Sequence, residues 1–344
     1  MRDLLPQLED WLHSGERVAL ATVLATWGSA PRPAGSSMAI SASGQIAGSV
    51  SGGCVEGAVI QAAQEVLSGR GPQRLHFGVA DETAWEVGLA CGGEIEIFVQ
   101  ELDRALADYA LQALKMDRAL AIGTLVKADG ELLGAQVILS EAGAAASSSL
   151  TAQRVAQIEG NLADALRARS AKLAQLAGSD QLEIFLNPIP PAPSLILVGG
   201  GHIAIALAEI AAAVHYRTAV VDPRRVFATG ERFPHIADLI QEWPQKAFEH
   251  LLINSSTAVA TLSHDPKIDD PALAAALHSS AFYIGALGSQ KSHAKRLKRL
   301  ADLGFSPADT GRIKGPIGID IGAVTPEEIA LAIMAEVVAA FRND

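Results

Sequence analysis

The stretch LILVGGGHIAIALAEIA, residues 195–211, decides the fold of the second half of the chain. Its apolar start predicts a strand, its glycines a tight turn and its alanine-rich end a helix. Gly199, Gly201 and Ala204 fit the pattern G-x-G-x-x-G/A, which permits the turn, the approach of a pyrophosphate and close helix–strand packing. Because N–H groups at a helix start favour phosphate, we predict that Gly199 and Gly201 bind a nucleotide. His202 either contacts that ligand or caps the turn.

An acidic residue ends the next predicted strand. Asp222 closes the segment TAVVD, 23 residues after Gly199, where a carboxylate can bond a ribose hydroxyl. Arg224 and Arg225 follow directly and favour a phosphorylated ribose instead. The sequence therefore predicts Asp222 and Arg224 as cofactor-binding residues, with NAD(P) or another nucleotide as the ligand.

Apolar strands and helices alternate through the rest of this half. Such alternation is typical of a parallel sheet with helices on both faces, so we predict a Rossmann-like doubly wound α/β domain. The predicted strands are Leu195–Val198, Thr218–Val221, Thr257–Leu262 and Phe282–Ile284, and the predicted helices are Ile203–Val214, Pro271–His278 and Lys291–Leu303. A last helix should begin after Thr325, which can form a capping box with Glu328.

Two charged clusters accompany these elements. His264 and Asp265 follow the strand that ends at Leu262, at the edge where open α/β sheets bind ligands. As candidate catalytic residues they perform acid–base chemistry; alternatively, they only order the loop. A basic helical face, either solvated or in contact with a phosphate or a partner, is formed by Lys291, Lys295, Arg296, Lys298 and Arg299.

Four prolines in Asn187–Pro193 divide the chain. Prolines cannot continue a helix or pair within a central strand, and they favour a stiff extended linker. We therefore predict an N-terminal α+β module over residues 1–187, a Pro-rich linker over 188–193 and the Rossmann-like domain over 194–344. The elements expected in the first module are strands Val18–Thr26, Ser37–Ile40, Gln45–Ser51, Glu94–Gln100, Ala119–Val126 and Leu132–Leu139, helices Val55–Leu67 and Thr151–Leu176, and a low-complexity loop over Ala142–Ser149.

Both cysteines of the chain stand beside glycine pairs. Gly52-Gly53-Cys54 precedes the predicted helix at Val55, so the helix dipole and unpaired N–H groups should stabilise a thiolate or attract a phosphate or oxo group. In Cys91-Gly92-Gly93 the glycines allow another close approach of the backbone. The spacing alone leaves open that either cysteine is a small buried apolar side chain.

The composition predicts a soluble cytoplasmic protein. Hydrophobic residues make up 49% of the chain, charged residues 19%, and the formal net charge is −11. The acidic balance argues against binding to nucleic acid or to an anionic membrane surface. No apolar run reaches the roughly 20 residues of a membrane span. Because the first residues do not form a signal peptide and two cysteines cannot make a disulfide framework, we expect a reducing cytoplasm.

Taken together, these motifs resemble the XdhC/CoxI family. The first half carries WGSAPRPAGSSMAI, GSVSGGCVEGAV and GLACGGEIEIF, and the second half carries GGGHIA, VVDPR, YIGALGS, GPIGIDIGA and TPEEIALAI. The resemblance implies an accessory factor that binds molybdenum cofactor, as molybdopterin or its cytidine dinucleotide form. Such a factor assists sulfuration of the cofactor and its insertion into a molybdenum hydroxylase of xanthine dehydrogenase or CO dehydrogenase type. The implied partners are the hydroxylase apoenzyme and a cysteine desulfurase.

On this resemblance, the glycine–cysteine motifs become the second candidate site. Cys54 and Cys91 are the candidate catalytic and metal-ligating residues, since thiolates suit a soft metal with sulfur ligands. Arg32 is expected as a polar neighbour, and the expected cofactor-binding residues are Gly52, Gly53, Glu56, Gly92 and Gly93. We expect a homodimeric maturation chaperone rather than a stand-alone enzyme. The alternative is an NAD(P)- or flavin-dependent oxidoreductase with Asp222 on the ribose and His264 as the proton carrier.

Overall fold

The computed structural model describes residues 1–28, 32–78, 93–140, 143–176 and 181–343. The chain divides into two compact units, Met1–Pro191 and Ala192–Asp344. This division falls inside the predicted linker.

The first unit combines antiparallel strands with helices. Its described strands are β1 (Val18–Trp27), β2 (Ser37–Ser41), β3 (Ile46–Gly48), β4 (Gln73–Phe77), β5 (Glu94–Glu101), β6 (Leu120–Lys127), β7 (Gln136–Ser140), β8 (Gly143–Ala146), β9 (Lys172–Gln175) and β10 (Glu183–Ile189). Its described helices are α1 (Leu5–His13), α2 (Glu56–Glu65), α3 (Arg104–Lys115) and α4 (Ala152–Ala168). The strands form two sheets, ordered β3-β2-β1-β5-β4 and β8-β7-β6-β10-β9, which confirms the α+β prediction.

The core of this unit follows from the two-residue period of β1. Successive side chains of a strand point to opposite faces, and β1 is apolar on both. Ala21 and Val23 pack towards α2, whereas Leu24 packs with Val126 and Phe185 of the second sheet. Helix α4 covers the other face of that second sheet. The two sheets are therefore layered between α2 and α4.

The helix predicted over Thr151–Leu176 and the loop predicted over Ala142–Ser149 are both wrong in part. The helix predicted over Thr151–Leu176 ends at Ala168, because Arg169 adopts a left-handed conformation with φ of 46° and the chain then forms β9. Within the predicted loop Ala142–Ser149, residues Gly143–Ala146 form β8 and pair with β7. Pairing at a sheet edge outweighs the weak strand propensity of alanine.

Strand β10 also enters the proline-rich segment, where we expected no strand. Pro188 lies opposite Ala121 of β6, and Ile189 lies opposite Leu120. In the described part of the chain, β9 pairs only with residues 183–186 of β10. Proline is tolerated at Pro188 because a strand with one open side loses no ladder hydrogen bond there.

The second unit is a parallel doubly wound sheet. Its described strands are β11 (Ser194–Val198), β12 (Arg217–Val221), β13 (Asp238–Ile240), β14 (Thr257–Thr261), β15 (Tyr283–Ala286) and β16 (Ile313–Lys314). Its described helices are α5 (His202–Ala213), α6 (Pro244–His250), α7 (Pro266–Leu277), α8 (Gln290–Asp302), α9 (Pro307–Thr310) and α10 (Pro326–Asn343). The strand order β13-β12-β11-β14-β15-β16, with parallel pairing throughout, is that of a Rossmann domain and confirms the predicted fold class.

Helices cover both faces of this sheet. Leu195 and Leu197 of β11 pack in a cluster with α5 and α10. Ile196 and Val198 point the other way and pack with α7 and α8. Because both faces are buried, the central strands are continuous apolar runs in the sequence. These strands could therefore be predicted from the sequence.

Helices α7, α8, α9 and α10 of the second unit begin with side-chain caps. The capping box predicted for α10 is confirmed: Thr325 Oγ1 accepts from Glu328 N–H at 3.3 Å, and the Glu328 carboxylate accepts from Thr325 N–H at 3.0 Å. Across the described ranges, no helix has the length and apolar character needed to cross a membrane.

Candidate functional site

The glycine turn joins β11 to α5 at the carboxyl edge of the sheet, where the strand order reverses. Gly199 has φ of +105°, and a Cβ there would lie 2.7 Å from Ser263 N. A Cβ on Gly200 would lie 2.4 Å from the Phe227 carbonyl oxygen, whereas a Cβ on Gly201 would meet no described atom within 4 Å. Packing therefore demands glycine at the first two positions, while Gly201 leaves open space at the N-cap of α5.

Asp222 lies fully buried at the end of β12, and its carboxylate is saturated with donors. Oδ1 accepts from Arg224 N and Nε, both at 2.9 Å, and Oδ2 accepts from Gly200 N at 2.9 Å and Arg224 Nη2 at 2.7 Å. Burial alone would raise the pKa of Asp222, but hydrogen bonds from Arg224 and Gly200 hold it below its ordinary value. The ribose role predicted for Asp222 would require a hydroxyl to displace one of these donors.

Two arginines and an aromatic ring pack beside the glycine turn. The guanidinium of Arg224 lies 4.2 Å from the centre of the Phe227 ring, and that of Arg232 lies 5.5 Å from it. Arg232 Nη2 also donates to the Gly200 carbonyl at 3.0 Å. Sequence reasoning missed Phe227 and Arg232, whose one signal was the run of arginine and aromatic residues after Asp222.

The predicted histidines and Asp265 lie at this carboxyl edge in different settings. His202 is the exposed first residue of α5. Asp265 caps α7, because its Oδ1 accepts from Lys267 N at 2.9 Å, as expected of a loop-ordering residue. His264 is exposed and has φ of 62°, a left-handed conformation that is uncommon outside glycine. The neighbouring Ser263 is the residue that Gly199 approaches, so the structure brings His264 close to the glycine turn.

In the first unit, the loop before α2 is organised around Glu56. Its carboxylate accepts from the Ser49 hydroxyl at 2.7 Å, from the Ser51 N–H at 3.0 Å and hydroxyl at 2.5 Å, and from the N–H groups of Gly52 at 3.0 Å and Gly53 at 2.9 Å. Gly52 and Gly53 have φ of 80° and 127°, which glycine adopts readily. The N–H groups that we expected to attract an external anion therefore hold the chain's own carboxylate.

Replacing Glu56 with glutamine should destabilise the first unit, because an amide cannot accept all five of these hydrogen bonds. Burial alone would raise the pKa of Glu56, but hydrogen bonds from Ser51 and Ser49 lower it from 4.5 to about 2. A lowered carboxyl pKa contributes stability that is present above pH 4.5 and is lost as the pH falls towards 2. After allowance for solvent screening, we expect the variant to lose about 1–2 kcal/mol of unfolding free energy at neutral pH.

Urea unfolding at several pH values measures both effects. Glu131→Gln is the matched control, since Glu131 is exposed and forms no ion pair with a described residue. It should change neither the stability nor its pH dependence. Equal stability of Glu56→Gln and the unchanged protein at neutral pH would contradict the assigned role of Glu56.

Only part of the glycine–cysteine motifs lies in the described residues. Cys54 is a half-buried free thiol that packs against the core beneath α2. Cys91 and Gly92 lie outside the described residues, and so does the pocket predicted to be shared by the two cysteines. Gly93 is buried directly before β5, and Arg32 is exposed. Because β3 runs parallel to β1 and β5 runs antiparallel to it, Gly93 and the loop that carries Cys54 lie at the same end of the first sheet.

A metal site is not assembled from the part of the chain that the structure describes. Within those residues, no group of three or more histidine, cysteine, aspartate or glutamate side chains could hold a metal ion.

Comparison with known proteins covers both units. A family model described as the XdhC Rossmann domain matches residues 195–337, and one described as the XdhC and CoxI family matches residues 11–78. The chain is 28% identical to a protein of Bacillus subtilis (strain 168) that is named as a probable xanthine dehydrogenase subunit, over 96% of this chain and 95% of that one. It is also 28% identical to the molybdenum cofactor insertion chaperone PaoD of Escherichia coli (strain K12), over 98% of this chain and 87% of PaoD.

A solved structure has the same fold. The crystal structure described as a xanthine dehydrogenase from Bacillus halodurans aligns with a TM-score of 0.73 at 24% identity, over 98% of this chain and 96% of that one. One family model lies in each unit. The Rossmann-domain model begins at residue 195, in the strand that precedes the glycine turn. The chain therefore belongs to the XdhC and CoxI family, with the family's Rossmann domain as its second unit.

Proposed function

We propose that this protein binds molybdenum cofactor as its cargo and assists the sulfuration of that cofactor and its insertion into a molybdenum hydroxylase of the xanthine dehydrogenase or CO dehydrogenase type. The observation that carries the proposal is the open N-terminus of α5 at Gly201, in a chain that aligns over 98% of its length with a relative named a cofactor insertion chaperone. We expect the hydroxylase apoenzyme and a cysteine desulfurase as partners, and a homodimer in the cytoplasm.

The glycine turn suits the phosphate end of such a cargo. Molybdopterin carries a phosphate, and its cytidine dinucleotide form carries a pyrophosphate. The first N–H groups of a helix have no partner within the helix and attract an anion. Helix α5 has 12 residues and no side-chain cap at Gly201. A phosphate at this position would therefore meet unpaired donors and the positive end of the helix dipole.

The first unit would contact the molybdenum and its sulfur ligands. Cys54 offers a free thiol at the end of the sheet where Gly93 also lies. A thiolate suits molybdenum with sulfur ligands, and we assign Cys54 and Cys91 to that centre. Glu56 would act by shaping the loop that carries Cys54, since its own carboxylate is taken up by Ser49, Ser51 and the two glycines.

Gly201→Val tests the proposal. The branched side chain would fill the space at the start of α5 and keep a phosphate from the N–H groups, so we expect at least about a tenfold loss of bound cofactor. The pterin is released from the purified protein, oxidised to its fluorescent form and quantified. Because a Cβ on Gly201 has no described neighbour within 4 Å, the fold should tolerate the change.

The matched control is Gly160→Val, a glycine-to-valine change on the exposed side of α4. It should leave the bound pterin unchanged. Failure of the unchanged protein to retain any pterin, or to restore activity to a hydroxylase apoenzyme, would overturn the proposal. Unchanged cofactor content in Gly201→Val would show that the cofactor does not bind at the glycine turn.

The doubly wound strand order also favours a second candidate, an oxidoreductase that uses NAD(P) or a flavin dinucleotide. Against it stands Asp222, whose four acceptor positions are already used by Arg224 and Gly200. Steady oxidation of a reduced nicotinamide without any partner enzyme would favour this candidate over maturation.

A further inference from the structure

A second cleft opens at the carboxyl edge of the Rossmann sheet, between the turn after β14 and the turn after β15. It encloses about 660 Å³ including its open mouth, and its lining includes His264, Ser292, Lys295 and Arg296. Ser263, directly before His264, contacts the glycine turn, since a Cβ on Gly199 would lie 2.7 Å from its backbone nitrogen. None of the three glycines of that turn lines the cleft.

The charges of the cleft are positive once existing ion pairs are counted. Arg299 is held by Asp270, with Nε–Oδ2 and Nη2–Oδ1 distances of 2.5 and 2.9 Å. The acidic group of the lining, Asp269, forms a buried ion pair with Arg296 at 3.9 Å and also accepts from the Ser263 hydroxyl at 2.6 Å. Lys295 is exposed and forms no ion pair with a described residue. The uncompensated charge therefore comes from Lys295.

Arg296 is the feature that marks a built site. Its side chain lines the cleft although it is only 5% exposed. Nη2 donates to the Leu287 carbonyl at 2.8 Å and lies 3.9 Å from Asp269 Oδ2, and Nη1 faces His293 Nδ1 at 3.4 Å. Nε is buried and has no hydrogen-bond partner among the described residues. An unpaired buried donor of a cation costs free energy, and an anion held close to the guanidinium would offset part of that cost electrostatically.

Two further groups suit an anion at this place. Helix α8 begins at Gln290 with Ser289 as its N-cap, and its 13 residues direct the positive end of their dipole towards the turn after β15. His264 is held in a left-handed conformation at the rim. Strained non-glycine residues of this kind persist where the surrounding structure enforces them, commonly at ligand sites.

We propose that this cleft binds a phosphoryl group of a small molecule, as a second anion site separate from the turn at Gly201. Lys295 supplies the uncompensated positive charge, Arg296 supplies a guanidinium whose Nε–H has no partner among the described residues, and Ser292 and His264 supply hydrogen-bond donors at the rim. A compact anion with several oxygen acceptors, such as pyrophosphate or the phosphate of a nucleotide, matches this arrangement. The proposal goes beyond cofactor maturation and stands whether or not the cargo is molybdenum cofactor.

The test measures binding of inorganic pyrophosphate to the full chain by calorimetry. It is done in the Gly201→Val background, so that the glycine turn is blocked and only the cleft is measured. We expect one site per chain, weakened at least about tenfold by Lys295→Ala, which corresponds to the loss of one charged contact. Lys298→Ala is the matched control, because Lys298 lies on the same helix, carries the same charge and does not line the cleft. It should change the affinity less than about twofold.

Cytidine monophosphate is titrated in parallel. Tighter binding of the nucleotide assigns the cleft to a nucleotide phosphate, and tighter binding of pyrophosphate assigns it to a free anion; both support anion recognition. Absence of pyrophosphate binding in the Gly201→Val background overturns the proposal. Equal weakening by Lys295→Ala and Lys298→Ala also overturns it, since only general surface charge would then be at work.

Discussion

Replacing Gly199 with alanine should cost the Rossmann domain about 4 kcal/mol of unfolding free energy, the largest effect of any single change considered. The new Cβ would lie 2.7 Å from Ser263 N and 2.9 Å from its Cα, and backbone atoms cannot move aside as a side chain can. Overpacking of this kind costs about 1–3 kcal/mol. The φ of +105° adds a further strain of about 1–3 kcal/mol for a residue that carries a side chain.

Gly201→Ala is the control within the same turn. A Cβ there meets no described atom within 4 Å, and its backbone is extended with φ of −71°. We expect a loss below about 1 kcal/mol, as for other changes at an N-cap. Hydrogen exchange of peptides from β11 locates the effect in the second unit, and urea unfolding gives its size. Similar stability of the two variants would show that the first glycine is not required by packing.

Replacing Asp222 with asparagine should cost about 3 kcal/mol, because it removes the charge that pairs with Arg224 and leaves buried donors poorly matched. The side chain of Asp222 is 0% exposed, so water cannot take over the lost interactions. The donor of Gly200 would lose a charged acceptor, which should also loosen the glycine turn. Urea unfolding against the unchanged protein measures the loss.

The pH dependence of this loss has a defined sign. Hydrogen bonds hold the pKa of Asp222 below the usual 3.8, so its contribution is present above that pH and disappears as the pH falls further. The difference between the two proteins should therefore shrink in acid. Asp238→Asn, at an exposed position of β13, is the matched control and should stay within about 0.5 kcal/mol. A loss that persists unchanged in acid would argue against the ion pair as its cause.

The central strands of the second unit were predictable because each is buried on both faces. Leu195–Val198 was expected and Ser194–Val198 is observed. The short strands β8 and β9 were missed, since their residues are partly exposed and weakly apolar. Such edge strands form because a neighbouring strand offers free hydrogen-bonding groups, and the pattern of the edge strand itself does not reveal that neighbour.

Candidate site residues could be predicted where they belong to a local sequence motif. Their predicted roles were incomplete where residues distant in the sequence contact them. The glycine turn is one contiguous segment, so Gly199 and Gly201 could be located without the fold. The sequence identified Arg296 only as one cation of a basic helical face, because nothing in KSHAKRLKRL distinguishes it from Lys298. Its burial against the turn after β15 became visible only when the helix was packed on the sheet.

The sequence by itself determined the doubly wound class of the second unit and its kinship with the XdhC and CoxI family, because both depend on residues adjacent in the chain. Only the tertiary structure decided which charged groups remain available to a ligand. In the folded chain, the carboxylate of Asp222 accepts hydrogen bonds from Arg224 and Gly200, and the N–H groups of Gly52 and Gly53 donate to Glu56. The Nε of Arg296 has no partner among the described residues. A hydrogen bond depends on the distance and angle of two groups in space, and for most of these groups that geometry is set by packing.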